Sequence, residues 1–363
     1  MNTDKRPAMS LRQDVLLERD GGLKQALWGT LLFAVIAIVG LFIVKWSPYW
    51  HKAHVAAAVH GIGASIVSGK GVHPEAVGLH AGWSYTLAYF KSVWQAVVLA
   101  LLMGASVQAF LPRAWLVKAL GRPTHSSTAI ATASSVATMM CTCCTAPVVV
   151  GLRRAHAAAG SALAFLLGNP VLNPATLVFI GFVLGWKYAG LRLGLGMVLV
   201  FAVAAIANAL SKDEGVPVSV PAAAIETRGA GSNMFAAWLR ELWIELYTII
   251  PGYVAIVFIV GALQAWLFPP GLELHASGIG AVAAISALGT LFVIPTAGEV
   301  PIIQTLQHAG MGQGPAAALL MTLPAISLPS IFIVRKVFSA RVLAWAALCV
   351  FFSGIVAGLI VML

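Results

Sequence analysis

Three of the four cysteines of the chain fall within four positions, as Cys141, Cys143 and Cys144. Thiols this close form a soft ligand set, of the kind that selects a thiophilic metal or metalloid over harder ions. A disulfide framework would spread its cysteines along loops, so the cluster reads as a site. Cys141 and Cys144 share a face if the segment is helical, and Cys143 joins them if it is unwound. Pro147 follows an irregular stretch and precedes a short apolar run, which predicts a proline in the first turn of a helix. The thiols then sit at a helix N-terminus, where unpaired N–H groups and the positive end of the dipole favour an anion. Packing is the competing explanation, since free cysteine behaves as a small hydrophobe, and for the isolated Cys349 it suffices.

Glu299 is read as the only acid well inside an apolar block, two residues before Pro301. An ionisable group at membrane depth costs about 2.5 kcal/mol or more and is by default functional. It is expected to lie opposite the cysteines and to couple solute binding to proton movement, the alternative being a carboxylate that caps its own helix. Thr145 and Thr296 supply hydroxyls beside the two prolines. Asn169-Pro170 and Asn173-Pro174 are expected to cap the ends of a broken helix or to contact substrate. The substrate-binding candidates are therefore Cys141, Cys143, Cys144, Thr145, Asn169, Asn173, Thr296 and Glu299. No catalytic residue, resident metal or cofactor is expected. Histidines 51, 54, 60, 73 and 80 lack accompanying Cys or acidic ligands and read as ordinary surface histidines. The stretch from Gly63 to Gly71 has the wrong glycine spacing for a phosphate loop.

The elements that carry these residues must lie in lipid. Of the 363 residues 60% are hydrophobic and 9% charged, against about 25% charged in a soluble domain. The apolar residues come in blocks of membrane-spanning length. The net charge of +10 sits in ones, twos and threes beside those blocks, which is the positive-inside pattern of membrane topology rather than a nucleic-acid footprint. The partners are thus a small-molecule or metalloid substrate and the lipid bilayer, with no nucleic acid. The oligomeric state is open.

The first span is predicted from about Ala26 to Val44, retained rather than cleaved, with Trp28 and Trp46 at its ends and a cytoplasmic N-terminus. An external loop follows from Lys45 to about Ser92, so that 1–92 forms an N-terminal region with one extra transmembrane helix. A first permease repeat occupies 93–210. It contains a span to about Leu111, a re-entrant hairpin over Ser126–Arg154, a helix broken at Asn169–Pro174, and a span from about Leu191 to Leu210. A cytoplasmic linker covers 211–235. A second repeat, 236–363, has a span from about Thr248, an interrupted stretch Gly278–Ala309, a broken helix Gly312–Val334, and a last span from about Val342. Trp238–Glu245 is read as an interfacial turn, and Lys187 and Arg192 as lying outside.

Shifting Cys141–Pro170 by 154 positions lays it on Pro295–Pro324 with nine identities in thirty, Pro147/Pro301, Gly160/Gly314 and Pro170/Pro324 among them. Three crossings per half invert the second half. The fold class is therefore an all-α polytopic membrane protein with two inverted-topology repeats, re-entrant hairpins and broken helices, the architecture in which transporters bind solute near the midplane.

Cys141-Thr142-Cys143 with Pro147, the run Gly160–Leu167 into Asn169-Pro170 and Asn173-Pro174, and Pro295–Pro301 with Glu299 together resemble the predicted-permease family that includes the organoarsenical efflux permease ArsP and the YraQ proteins. The resemblance covers most of the chain from about Val93. It implies efflux of trivalent organoarsenicals through thiol coordination, with Cys141 and Cys143 at the site; Cys144 is an addition to the pattern. The function read from the sequence is a secondary permease of the cytoplasmic membrane, not an enzyme, for a small thiophilic solute. An intramembrane thiol oxidoreductase and a passive small-solute channel are the alternatives, the former needing a second dithiol to relay electrons.

Overall fold

The computed structural model describes residues 27–63, 78–211, 234–263 and 278–363, and these residues are helical with no strand among them. The helices are α1 (Leu27–Val59), α2 (Leu79–Phe110), α3 (Arg113–Leu120), α4 (His125–Thr138), α5 (Thr142–Arg154), α6 (Ala159–Val171), α7 (Pro174–Val183), α8 (Trp186–Leu210), α9 (Met234–Ala262), α10 (Ile279–Leu291), α11 (Glu299–His308), α12 (Gln313–Ala325), α13 (Leu328–Val334) and α14 (Ala340–Met362). With α6–α7 and α12–α13 each counted as one broken span, seven are long and apolar enough to cross a membrane. The chain is a multi-pass membrane protein.

The layering follows from which helices carry small residues. In the two broken spans, α6–α7 and α12–α13, 78% and 83% of the most apolar window is buried. For α1, α8, α9 and α14 the share is only 17–33%, so those helices present apolar side chains to lipid. Close approach around the buried pair depends on glycine at matching places. A Cβ on Gly160 would lie 2.3 Å from the Ala204 carbonyl oxygen of α8, and one on Gly314 would meet Met362 Sδ of α14 at 2.6 Å. Small residues at such contacts let helix backbones approach without water-driven hydrophobic association.

Each break has its own local cause. Asn173 and Ser327 are the N-caps of α7 and α13, the first accepting from Thr176 N and the second forming a capping box with Ser330. Pro174 and Pro329 stand in the first turns that follow, where a missing N–H costs nothing. The hairpins turn through segments 139–141 and 292–298, and each contains a non-glycine residue at positive φ, Met139 at 49° and Ala297 at 64°. Backbone strain of this kind persists only where the surroundings hold it, and it clusters at functional sites.

Helix starts in the two halves stand at one spacing. Residues 125, 159, 174 and 186 begin α4, α6, α7 and α8, and 279, 313, 328 and 340 begin α10, α12, α13 and α14, each 154 positions on. α2 and α9 are antiparallel neighbours: Gly82 faces Phe258, Tyr89 faces Tyr253, and Phe110 stacks on Trp238.

Several boundaries differ from the sequence expectation. α1 continues to Val59 and α2 begins at Leu79, so Lys45, His51 and His54 are helical and the connection is far shorter than Lys45–Ser92. His73 and the linker from 212 to 233 lie outside the described residues. Trp46 is in the middle of α1, its indole N–H donating to Ala137 O at 3.0 Å. Trp238–Glu245 is part of the continuous helix α9 rather than an interfacial turn.

Candidate functional site

The cysteine segment opens α5. Cys141 is the N-cap, extended at φ −80° and ψ 164°, and Cys143 and Cys144 occupy the first turn. The helix therefore starts five residues before Pro147, not at it. Thr145 explains the early start, because its backbone N–H and its hydroxyl both donate to Cys141 O at 2.9 Å and close the first turn. Pro147, lacking an N–H, then leaves Cys143 O without its ordinary intrahelical donor.

The three thiols converge. Cys141 Sγ lies 3.0 Å from both Cys143 Sγ and Cys144 Sγ, and all three sulfurs fall within 4.8 Å of one another. None is more than 4% exposed. Tyr89 OH contacts Cys143 Sγ at 2.9 Å and Tyr253 OH at 2.8 Å, which joins the cluster to both α2 and α9. A pyramidal centre with metal–sulfur bonds of about 2.3 Å needs sulfurs about 3.4 Å apart. Cys141 stands within a few tenths of an ångström of that spacing from each of the other two.

Across from the thiols stands the segment that precedes α11. Thr296 Oγ1 accepts from Lys45 Nζ at 3.1 Å. Glu299 Oε1 accepts from Arg192 Nη1 at 2.7 Å, with both side chains buried. Arg192 also donates to Pro170 O at 2.6 Å and Val171 O at 3.1 Å, the carbonyls freed where α6 ends. The expectation that Arg192 lies outside is thus corrected: its guanidinium fork satisfies the break and ties it to Glu299. The capping alternative for Glu299 finds no bond here: the N-cap of α11 is Gly298, Oε1 takes Arg192, and Oε2 has no protein partner.

Cys141, Thr176, Thr296 and Glu299, with Pro170 and Pro324, line a small cavity of about 10 Å³. Glu299 Oε2 and Thr176 Oγ1 have no protein partner, nor does Asn173 Nδ2. A buried polar atom without a partner calls for an explanation, and a ligand is one. The starts of α5, α7 and α11 meet here, so three positive helix ends face one small volume.

Of the residues selected from sequence, Cys141, Cys143, Cys144, Thr296 and Glu299 come together, and Asn173 stands beside them through Thr176. Asn169 does not face the cavity. Its Oδ1 accepts from Thr138 Oγ1 and from Met140 N at 3.0 Å, and its Nδ2 donates to Phe165 O at 2.9 Å, so it holds the hairpin turn against α6. Thr145 turns its hydroxyl to its own helix. Nor is Glu299 the only acid within an apolar block: Glu245 on α9 is equally buried, accepting from Gln108 Nε2 at 3.0 Å.

Lys45, Tyr89, Arg192 and Tyr253 escape the sequence reading. The charged pair sits near the predicted ends of apolar blocks, where Lys and Arg ordinarily mark a membrane boundary. The tyrosines offered one signal, three hydroxyl-bearing rings at Tyr85, Tyr89 and Tyr253 inside otherwise apolar stretches.

A family model described as predicted permease matches residues 28–209 and 83–363. The chain is 43% identical over 331 residues to the UPF0718 protein YraQ of Escherichia coli (strain K12), covering 91% of this chain and 94% of that protein. It is 25% identical over 333 residues to the UPF0718 protein MJ0584 of Methanocaldococcus jannaschii, covering 73% of this chain and 91% of that one. No solved structure matches. Matched along nearly its whole length, the chain belongs to the predicted permease family.

Proposed function

We propose that the chain is a secondary permease that moves a small thiophilic solute, a trivalent organoarsenical or a similarly soft metalloid or anion, outward across the cytoplasmic membrane. The observation that carries this reading is the buried trio Cys141, Cys143 and Cys144 at the start of α5, of which Cys141 lines one small cavity with Thr296 and Glu299. Capture is a ligand exchange without redox change. Two Cys S–H bonds give way to two sulfur–arsenic bonds, and the two hydroxyl groups of the trivalent centre leave as water. The exchange is reversible, as transport requires. We assign the proton-coupling role to Glu299, whose unpartnered carboxylate oxygen takes up a proton on one side and gives it up on the other during the switch between access states, separately from the exchange at the thiols.

The spacing of 154 shared by four pairs of helix starts, together with antiparallel α2 and α9, supports two inverted repeats, 79–210 and 234–362, with the site at their interface. Cytoplasmic placement of the N-terminus and of the linker accords with the Lys and Arg distribution. The dithiol relay of an oxidoreductase would have to use Cys349, the one cysteine outside the cluster.

Everted vesicles test the reading with a panel of trivalent arsenicals, antimonials, thiols and small anions. ATP-independent accumulation of at least one soft solute, abolished by Cys141→Ser/Cys143→Ser, is expected. Equal uptake of every soft solute by vesicles with and without the protein would refute it.

A further inference from the structure

Beside the thiol cavity lies a larger one of about 290 Å³, and its chemistry is of the opposite kind. Lys45, Lys52, Ser92, Gln95 and Thr296 line it, and among the described residues no Asp or Glu does. Lys45 is only 4% exposed, in the middle of the apolar helix α1. Its Nζ donates to Tyr49 OH at 3.3 Å and to Thr296 Oγ1 at 3.1 Å, both neutral groups, and no carboxylate of the described residues pairs with it. Lys52, about two helical turns further, shares the cavity and adds a second positive charge that repels the first. An ammonium at membrane depth ordinarily finds a counter-charge in the protein. Lys45, buried and with none among the described residues, and the exposed Lys52 beside it face one cavity suited to a charge that comes from elsewhere.

Backbone geometry at Lys45 supports the same conclusion. Residues Phe42–Trp46 form a π-helical turn inside α1. A π-turn inserts an extra residue into a helix at a cost in regularity, and such turns recur at functional sites. The bulge brings Lys45 to Thr296, which lines both cavities. Lys45 is also near enough to interact electrostatically with Cys141 and Cys144.

We propose that the Lys45–Lys52 cavity is an anion subsite that receives the carboxylate or oxyanion group of a solute whose soft centre goes to the cysteines. The substrate class is thereby narrowed from any thiophilic solute to an anionic one with two-point recognition. This deepens the function proposed above and rests on it for the soft centre alone; the anion subsite is testable by itself.

The experiment uses the full chain in phosphatidylcholine nanodiscs, with inorganic sulfate as the first probe. Saturating sulfate is expected to raise the thermal unfolding midpoint of the wild type by about 2–4 °C. Lys45→Gln should abolish that rise and Lys52→Gln reduce it. No rise in the wild type, or an equal rise in Lys45→Gln, overturns the proposal; should Lys45→Gln fail to fold, an undiminished rise in Lys52→Gln does so. Loss of the rise when the discs contain phosphatidylglycerol would give the cavity to a lipid headgroup and overturn the substrate role. The second probe is a pair, trivalent phenylarsenical and its para-carboxylated analogue. The acid should bind the wild type about tenfold tighter, the advantage vanishing in Lys45→Gln while the uncharged compound binds both alike. Equal wild-type affinity for the two overturns two-point recognition. If neither arsenical binds, the soft-ligand reading fails, and the sulfate result alone decides the cavity's role.

Discussion

Arg192 on α8 donates to Glu299 on α11 at 2.7 Å, and the same guanidinium holds the carbonyls of Pro170 and Val171 at the end of α6. One side chain thus joins a helix break in the first half to the hairpin helix of the second. Removing one member of a buried pair strands the other charge, at about 3–5 kcal/mol. Arg192→Met is therefore expected to lower the thermal midpoint sharply. Glu299→Gln in the same chain should recover part of the loss, and strict additivity of the two changes would show that the pair is not coupled.

Glu299→Gln alone separates coupling from structure. Gln keeps a hydrogen-bond acceptor for Arg192 but carries no proton in and out. Solute binding is expected to survive while transport driven by a pH gradient falls at least tenfold and counterflow exchange persists. Unchanged pH-driven transport would remove the coupling role.

Tyr89→Phe deletes the hydroxyl that lies between Cys143 Sγ and Tyr253 OH and leaves the ring packing. A net hydrogen bond of about 1 kcal/mol corresponds to roughly five- to tenfold in solute affinity at normal expression. Equilibrium binding measures it. Wild-type affinity in Tyr89→Phe would make the hydroxyl a bystander to the thiols.

Asn169 is expected to matter for folding and not for solute contact. Its side chain makes three buried hydrogen bonds that fix the turn before Cys141. Asn169→Leu, the residue type at the matching position Leu323, should reduce expression and lower the unfolding midpoint. The fraction that folds should bind solute with wild-type affinity, and a selective loss of affinity would place Asn169 at the site after all.

What the sequence disclosed and what it hid have physical reasons. Proline and asparagine announce helix breaks because they change backbone bonding locally, so the breaks after Val171 and Ala325 and the start of α12 at Gln313 stood close to expectation. The thiol cluster was legible for the same reason, three soft ligands in a short segment. Lys45 and Arg192 were misread because a hydropathy pattern cannot distinguish a charge at the edge of the bilayer from one folded inward to a partner. The π-turn at Phe42–Trp46 leaves no mark in residue types. Glu245 was hidden by the polar residues around Arg240 and Glu241, which disguised the first turns of a membrane helix as a surface segment.

X-ray absorption at the arsenic edge, on the purified full chain loaded with a trivalent phenylarsenical, bears most directly on the thiol site. Wild-type protein should give two sulfur neighbours at about 2.3 Å beside the phenyl carbon, the same in Cys349→Ser, and at most one sulfur in Cys141→Ser/Cys143→Ser. A wild-type spectrum with carbon and oxygen neighbours but no sulfur, at stoichiometric loading, would contradict the account.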